Sequence, residues 1–194
     1  MEIDYTDIVK NIKVFGIEDS IKASKYPMLI DTTKTNSDIT NTVIKLAQAE
    51  KGSGHDQFLT GIVVQFDLKF TIKAWTEMER YNFINFVSSQ STVHRITKFD
   101  LDKAYVPYVD KRIIDIIKEK VKEYNENPSS EKYLELLYSN PCGMQLTAKL
   151  TTNYRQLKTI YTQRKYHKLP EWRLFCEFIE HLPYSKEFIT GVDA

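Results

Sequence analysis

The fold is decided by the stretch Thr151-Thr152-Asn153-Tyr154-Arg155-Gln156-Leu157, which continues to Gln163-Arg164. Before it, residues 144–151 alternate apolar and polar side chains, the period-two pattern of a half-buried strand. Asn153 is a good N-cap, because its side chain can accept hydrogen bonds from the free N–H groups of a first helical turn. Apolar residues then recur at helical spacing: Leu157, Ile160 and Tyr161. The stretch predicts the end of a strand, a polar cap and a helix that carries cations.

Two arginines lie on this predicted helix. Arg155 and Arg164 are nine residues apart, about 2.5 helical turns, so they do not share one face. If both serve one site, they contact different parts of a ligand or ligands bound across a subunit boundary. A capped amphipathic helix with two surface arginines is also a common structural element, and this interpretation stays open.

The composition bounds the class of protein. The chain has 194 residues, enough for one sizeable core and too few for two comfortable domains, so we predict a single domain over residues 1–194. A net charge of +1 gives no global attraction to nucleic acid or to a membrane surface, and a nucleic-acid partner is not expected. Hydrophobic residues make up 42% of the chain, which is typical of a folded globular protein.

The cysteines and the N-terminal segment suggest a cytoplasmic protein. Cys142 and Cys176 do not have the spacing of metal ligands, and we expect no metal site. Residues 1–7 are polar and do not resemble a secretion signal. No apolar run approaches the roughly 18–20 residues of a membrane span, so we expect no membrane association.

Strands and helices are predicted to alternate along the chain, which favours an α/β (α+β) class with a central mixed sheet flanked by helices. The two strongest strands need partners, and we expect these from residues 1–16 or from a second subunit. Strands are predicted at 64–70 and 144–150. Helices are predicted at 18–25, 37–50, 72–86 and 110–124, and three more are predicted to begin after Ser129-Ser130, after Asn153 and at Pro170. Residues 89–109 are predicted to be irregular.

The segment around residues 151–164 resembles one family, the flavin-dependent thymidylate synthases (ThyX). The C-terminal helix of that family opens with Thr-x-Asn-x-Arg-x-Leu and carries a further Arg nine residues after the first. The matching positions here are Thr151, Asn153, Arg155, Leu157 and Arg164. The resemblance implies that Asn153 and Arg155 contact a flavin and that Arg164 contacts a nucleotide.

A second match lies at Gly54-His55-Asp56-Gln57-Phe58. ThyX proteins have a Gly-His segment between a helix and the central strand, and its His lines the active site. The resemblance gives His55 a catalytic place, and a histidine beside a glycine can act as a proton donor or a ligand contact. The alternative is an exposed histidine in a loop.

The third match is partial. The family signature is Arg-His-Arg, seven residues and Ser, and this chain has Met78-Glu79-Arg80, seven residues and Ser88. The resemblance implies a flavin contact for Arg80 and a catalytic, substrate-orienting place for Ser88. The first Arg and the His of the signature are replaced by Met78 and Glu79. The family's Glu two residues before the Ser and its phosphate-binding Arg two residues after it are replaced by Phe86 and Gln90. A shifted register with Arg80 as the first Arg loses the Ser.

The chain has a polar run of its own at residues 88–95, Ser-Ser-Gln-Ser-Thr-Val-His-Arg. Hydroxyl, amide and guanidinium groups together can bind a phosphate or a carboxylate. We predict substrate contacts from Ser88, Gln90, His94 and Arg95, against the alternative of a solvated helix end and loop.

The resemblance as a whole implies a ThyX-like single domain that forms a homotetramer and binds FAD and a uridine-type nucleotide. It also implies a reduced folate and NADPH as further partners in methyl or hydroxymethyl transfer to the base. The departures at Met78-Glu79 keep a second hypothesis open, a non-catalytic ThyX-like protein that binds a nucleotide or another protein.

Overall fold

The structure is a computed structural model that describes residues 4–50 and 52–191. Its strands are β1 (Val9–Phe15), β2 (Val63–Thr71), β3 (Asn85–Ser89) and β4 (Gln145–Asn153). Its α-helices are α1 (Ile17–Ser24), α2 (Asn41–Ala47), α3 (Ile72–Met78), α4 (Thr92–Arg95), α5 (Lys111–Glu126), α6 (Ser130–Ser139), α7 (Tyr154–Arg164) and α8 (Pro170–Glu180). Within the described ranges, no helix combines the length and the hydrophobicity needed to cross a bilayer.

The strands form one four-stranded antiparallel sheet in the order β1-β2-β4-β3, with helices around it. β1 pairs antiparallel with β2, so that Val9 lies opposite Leu68 and Phe15 opposite Val63. The predicted α/β (α+β) class is confirmed, and β1 is the extra strand expected from residues 1–16. The sheet is antiparallel where a mixed sheet was expected, because a connection long enough to hold helices can return the chain in either direction.

The outer strand β1 is irregular in its middle. The pairing register with β2 shifts between Lys10 and Lys13, and Asn11 has a positive φ of 52°. A left-handed residue with an amide side chain is a usual way to make such a bulge. The Asn11 carboxamide donates a hydrogen bond to Asp67 of β2, which holds the bulge against the neighbouring strand.

The chain divides into two compact units. The first unit consists of the described residues within Met1–Leu68, Tyr81–Val87 and Lys149–Ala194, and the second consists of Lys69–Arg80 and Ser88–Ala148. The prediction of one domain over the whole chain stays a prediction.

The core of the first unit is aromatic. Alternate side chains of β2 are buried, and the ring of Phe66 lies 5.6 Å from the ring of Phe175 and 5.1 Å from that of Phe178, both on α8. These two α8 residues are three apart and so lie on one helix face. Pro170 occupies the first turn of α8 as predicted, where its missing N–H has no intrahelical partner to lose.

The second unit has a separate core. Its centre holds Ile117 of α5, Leu136 of α6 and Met144, all inaccessible to solvent. Ser129 caps α6 by accepting from the N–H of Lys132, as predicted from the Ser129-Ser130 pair.

Two predicted helices have wrong boundaries. The helix expected over 37–50 begins at Asn41, because its N-cap is Thr40, which accepts the hydrogen bond from the N–H of Val43, and not Ser37 at the start of the expected range. The helix expected over 72–86 ends at Met78, and Phe86 lies in β3. The apolar residues of 72–86 fit helical spacing, but a turn around residues 81–84 interrupts it and the aromatic and β-branched residues beyond form a strand.

The segment 89–109, expected to be irregular, contains the short helix α4 and a 3₁₀ turn at Ile96–Lys98. The predictions for the helix at 110–124 and for the strand at 144–150 are confirmed by α5 and β4.

Candidate functional site

The candidate site is built on the junction between β4 and α7. Asn153 ends the strand in an extended conformation, and its Oδ1 accepts a hydrogen bond of 2.9 Å from the N–H of Gln156. The next residue, Tyr154, is fully buried and donates from its hydroxyl to the carbonyl of Pro183 at 2.7 Å. The predicted N-cap is therefore confirmed, and a buried side chain holds the first turn of α7 in place.

Arg155 follows in this first turn and meets the segment that carries His55. Its Nε donates to Asp56 Oδ1 at 2.9 Å, and its Nη1 donates to Gln57 Oε1 at 2.8 Å. The side chain is still 33% exposed. Two motifs almost one hundred residues apart in the sequence thus meet in space, with the guanidinium held on one side and accessible on another.

His55 itself is exposed at the start of a 3₁₀ helix, His55–Gly61, which Gly54 enters with a φ of 81°. Its backbone N–H donates to the hydroxyl of Ser53 at 3.3 Å. The imidazole therefore stands at the surface beside the residues that hold Arg155.

A second cation, which is buried, completes the contacts of Asp56. Lys158, one helical turn after Arg155, is 7% exposed and Asp56 is 3% exposed. The Lys158 ammonium donates to Asp56 Oδ2 at 3.1 Å, to the carbonyl of Ala47 at 2.7 Å and to that of Ala49 at 3.0 Å. An ammonium has three N–H donors, so all of them have acceptors here. Each oxygen of the Asp56 carboxylate accepts from a different cation.

Arg164, at the other end of α7, belongs to a different set of contacts. Its Nε donates to the hydroxyl of Tyr81 at 2.7 Å, and its guanidinium carbon lies 4.6 Å from the centre of the Trp172 ring. Tyr81 in turn donates to Gln163 at 3.0 Å. The spacing argument that Arg155 and Arg164 do not share a face agrees with these separate partners.

The positions that align with the Arg-His-Arg of the ThyX signature lie at the end of α3. Met78 is 1% exposed at the end of α3, so its side chain is part of the protein interior. Glu79 follows as the C-cap of α3, and both Glu79 and Arg80 are exposed. A thioether suits the apolar environment of Met78, whereas a charged residue there would lose its hydration.

The polar run 88–95 lies at the surface. Ser88 is exposed on β3, and His94 and Arg95 are exposed on the single turn of α4. Gln90 extends the ladder beyond β3, because its N–H donates to the carbonyl of Thr147 at 2.9 Å and its side-chain Oε1 accepts from the N–H of Thr147 at 2.8 Å. Its carboxamide oxygen therefore replaces a backbone carbonyl in the sheet.

Comparison with known proteins finds similar folds but no similar sequence. No family model and no curated protein matches the sequence. Solved structures do match. One is the flavin-dependent thymidylate synthase ThyX from Helicobacter pylori complexed with FAD and dUMP, with a TM-score of 0.70 at 14% identity over 96% of this chain and 100% of that one. This chain has the ThyX fold.

A second structure of this fold is the UMP/dUMP methylase PolB from Streptomyces cacaoi bound with 5-Br dUMP. It matches with a TM-score of 0.66 at 13% identity, over 93% of this chain and 92% of that chain. The resemblance to ThyX found in residues 151–164 is thus confirmed at the level of the fold.

Within the ThyX fold, the predicted site residues fall in both units. Asn153, Arg155, Arg164 and His55 belong to the first unit, and the second contains Arg80, Ser88, Gln90, His94 and Arg95. In the first unit, Arg155 contacts the segment that carries His55. The hydrogen-bonding and ring partners of Arg164 are Tyr81 and Trp172, which are not contacts of Arg155. No group of His, Cys, Asp and Glu among the described residues is arranged to hold a metal ion.

Sequence reasoning missed the residues that hold the two arginines: Asp56, Gln57 and Lys158 around Arg155, and Tyr81 and Trp172 around Arg164. The available signals were the position of Asp56 directly after His55 and the three-residue spacing of Arg155 and Lys158, which places both cations on one side of a helix.

Proposed function

We propose that this protein is a divergent ThyX-like protein that binds FAD and a uridine-type nucleotide for methyl or hydroxymethyl transfer to the base. The observation that carries the proposal is the position of Asn153 and Arg155. They stand at the start of α7, in a fold that spans the full length of a ThyX structure solved with FAD and dUMP.

The donors at this junction suit a cofactor with phosphate groups. The N-terminal end of a helix carries a partial positive charge, and α7 is 11 residues long. Arg155 adds a guanidinium that has five N–H donors, of which two are directed at Asp56 and Gln57. FAD, when bound, would supply the redox chemistry, while Asn153 and Arg155 would hold and orient it.

The nucleotide half of the proposal rests on Arg164 and on the exposed polar run. Ser88, His94 and Arg95 present a hydroxyl, an imidazole and a guanidinium at the surface, and these groups bind phosphate and the edges of a base. In the second unit, Ser88 would orient the substrate and Arg80 would contact the flavin. In the first unit, His55 would have the catalytic place that the resemblance implies. A reduced folate, NADPH and a homotetrameric assembly belong to the same proposal.

A second candidate function has one specific observation in its favour. Met78, where the ThyX signature has its first Arg, is 1% exposed and is one of the buried hydrophobic core residues. A non-catalytic ThyX-like protein that binds a nucleotide or another protein is the alternative that this replacement favours.

Titration with FAD tests the proposal. We expect visible flavin absorbance on the purified or reconstituted protein and a rise in Tm, because a ligand that binds only the native state stabilises it. Arg155→Ala should weaken FAD binding at least about tenfold, or 1.4 kcal/mol. Arg112→Ala removes an exposed arginine whose partner is Asp110 and serves as the matched control. A wild-type protein that neither binds flavin nor gains stability with FAD refutes the proposal.

Catalysis is tested separately, once flavin binding is established. The proposal expects product from dUMP, a reduced folate and NADPH, and growth of a thymidine-requiring strain that expresses the chain. Flavin binding without either outcome would favour the non-catalytic candidate. Light scattering tests the tetramer, and a monomeric mass would contradict it.

A further inference from the structure

Arg155 is held by a chain of buried contacts that joins three parts of the first unit. The last residue of α2 provides the carbonyl of Ala47, and the chain just after α2 provides that of Ala49. The 3₁₀ helix provides Asp56, and α7 provides Lys158 and Arg155. The contacts run in order from the carbonyls of Ala47 and Ala49 to the Lys158 ammonium, then to the Asp56 carboxylate and to the Arg155 guanidinium.

Each member of this network is constrained by its neighbours. Lys158 has all three N–H donors engaged, and an ammonium beside the last carbonyls of α2 also matches the negative end of that helix. Asp56 receives one cation on each oxygen, so its carboxylate plane is fixed from both sides. Gln57 accepts from a second nitrogen of Arg155, which fixes the plane of the guanidinium.

The network is arranged around Arg155 in an asymmetric way. Lys158 and Asp56 are almost fully buried, whereas a third of the Arg155 side chain faces solvent. One buried carboxylate faces two cations, so the group carries an excess positive charge, and the accessible cation is Arg155. A long flexible side chain at a surface normally loses rotamer entropy on binding an anion, and fixing it beforehand removes that loss.

From this geometry we infer that Asp56 and Lys158 are positioning residues that preset the Arg155 guanidinium for the phosphate-bearing cofactor. This role rests on the proposed function, because it presumes that Arg155 contacts FAD. Neither residue touches the cofactor in this scheme. Lys158 holds Asp56, and Asp56 holds Arg155.

The test compares Asp56→Asn, Lys158→Met and the double variant with the wild type by FAD titration and by Tm. Asp56→Asn places an amide between two cations, and we expect FAD affinity to fall at least about tenfold together with a loss in Tm. The double variant leaves no buried ammonium or carboxylate, so its Tm should exceed that of Asp56→Asn. Its FAD affinity should stay as weak, since a neutral amide replaces the carboxylate that positions Arg155 and only the contact with Gln57 is unchanged.

A recovery of Tm without a recovery of FAD affinity distinguishes a positioning role from a merely structural one. If FAD affinity recovers together with Tm in the double variant, or if Asp56→Asn binds FAD within twofold of the wild type, the inference is overturned. Asp67 and Lys149 form a matched control pair in the same unit, with a 3.3 Å contact and partial exposure. Asp67→Asn should leave FAD affinity unchanged, and an equal loss there would show that any broken ion pair has the effect.

A readout without cofactor distinguishes failure of this inference from failure of the proposed function. The Nε–H group of Arg155 should give a sharp, slowly exchanging NMR signal in the wild type, because it donates to a buried carboxylate. The signal should broaden or vanish in Asp56→Asn and persist in Asp67→Asn. A wild-type protein with this signal and no FAD binding refutes the proposed function alone, whereas an unchanged signal in Asp56→Asn refutes the positioning role.

Discussion

Replacing Asn153 separates its capping hydrogen bond from its proposed contact with a flavin. Asn153→Ala removes the oxygen that accepts from the N–H of Gln156 at 2.9 Å. Loss of an N-cap lowers the free energy of unfolding by about 1 kcal/mol, and a value towards 2 is expected here because Gln156 is buried and water replaces the lost acceptor poorly. In a chain of this size, that loss lowers Tm by about 2–8 °C.

Asn153→Asp is the informative partner of the alanine variant. Its carboxylate keeps an acceptor for Gln156 and adds a negative charge at the start of α7, which the helix dipole favours by about 0.3–1 kcal/mol. The same charge would repel phosphate groups, and the amide N–H donors are gone. We therefore expect wild-type stability together with FAD affinity lowered at least about tenfold.

Urea denaturation and FAD titration measure the two effects on the same samples. Ser129→Ala is the control, since Ser129 caps α6 in the second unit with a longer, exposed bond of 3.2 Å to Lys132. It should lose about 0.5–1 kcal/mol of stability and no FAD affinity. The capping argument is refuted if Asn153→Ala unfolds at the wild-type urea midpoint. Wild-type FAD affinity in Asn153→Asp would refute the flavin contact.

Four further outcomes are expected. Phe66→Ala removes a fully buried ring that packs against Phe175 and Phe178 of α8 and should lower the free energy of unfolding by about 3–5 kcal/mol in urea denaturation. Burial raises the pKa of Cys176 to about 12, so a thiol reagent at neutral pH should label only the exposed Cys142 in the native protein and both thiols after denaturation. Labelling of Cys176 in the native protein would contradict its burial. Burial also raises the pKa of Tyr105 to about 12. Because the unfolded chain releases this proton first, near pH 10, the free energy of unfolding should fall as the pH rises from about 10 to about 12, and Tyr105→Phe should flatten that slope by up to about 1.4 kcal/mol per pH unit. Met78→Arg restores a family residue into an apolar interior and should destabilise the protein by several kcal/mol; a thermal melt like that of the wild type would show that the position tolerates the charge.

Local sequence patterns predicted the helices and strands whose signals depend on residues close to one another in the chain. The alternation in β2 and β4, the helical spacing in α5 and the cap at Asn153 each depend on neighbours within a few residues, and the structure contains all of them. Phe86 shows the limit. Its distance from earlier apolar residues fits a helix, but pairing within the sheet places it in a strand, and that pairing depends on residues far along the chain.

The candidate site also has a part that local sequence patterns predict and a part that depends on distant residues. Asn153 and Arg155 were found from a local motif, and the partners of Arg155 were not, because Asp56 lies 99 residues before it in the sequence. Lys158 reads in the sequence as one more cation on a helix. Its buried ammonium donates to two carbonyls at and just after the end of α2, more than one hundred positions earlier, which no pattern within α7 reveals.

The bulge in β1 has a consequence for the behaviour of the protein in concentrated solution. β1 is an outer strand of the sheet, and regular outer strands can recruit strands of other molecules and start aggregation. The left-handed turn at Asn11 interrupts the row of outward N–H and C=O groups, and Lys10 and Lys13 place like charges beside it. A strand of another molecule would meet an interrupted hydrogen-bonding ladder and like charges at this edge. We therefore expect β1 not to pair with strands of other molecules in concentrated solution.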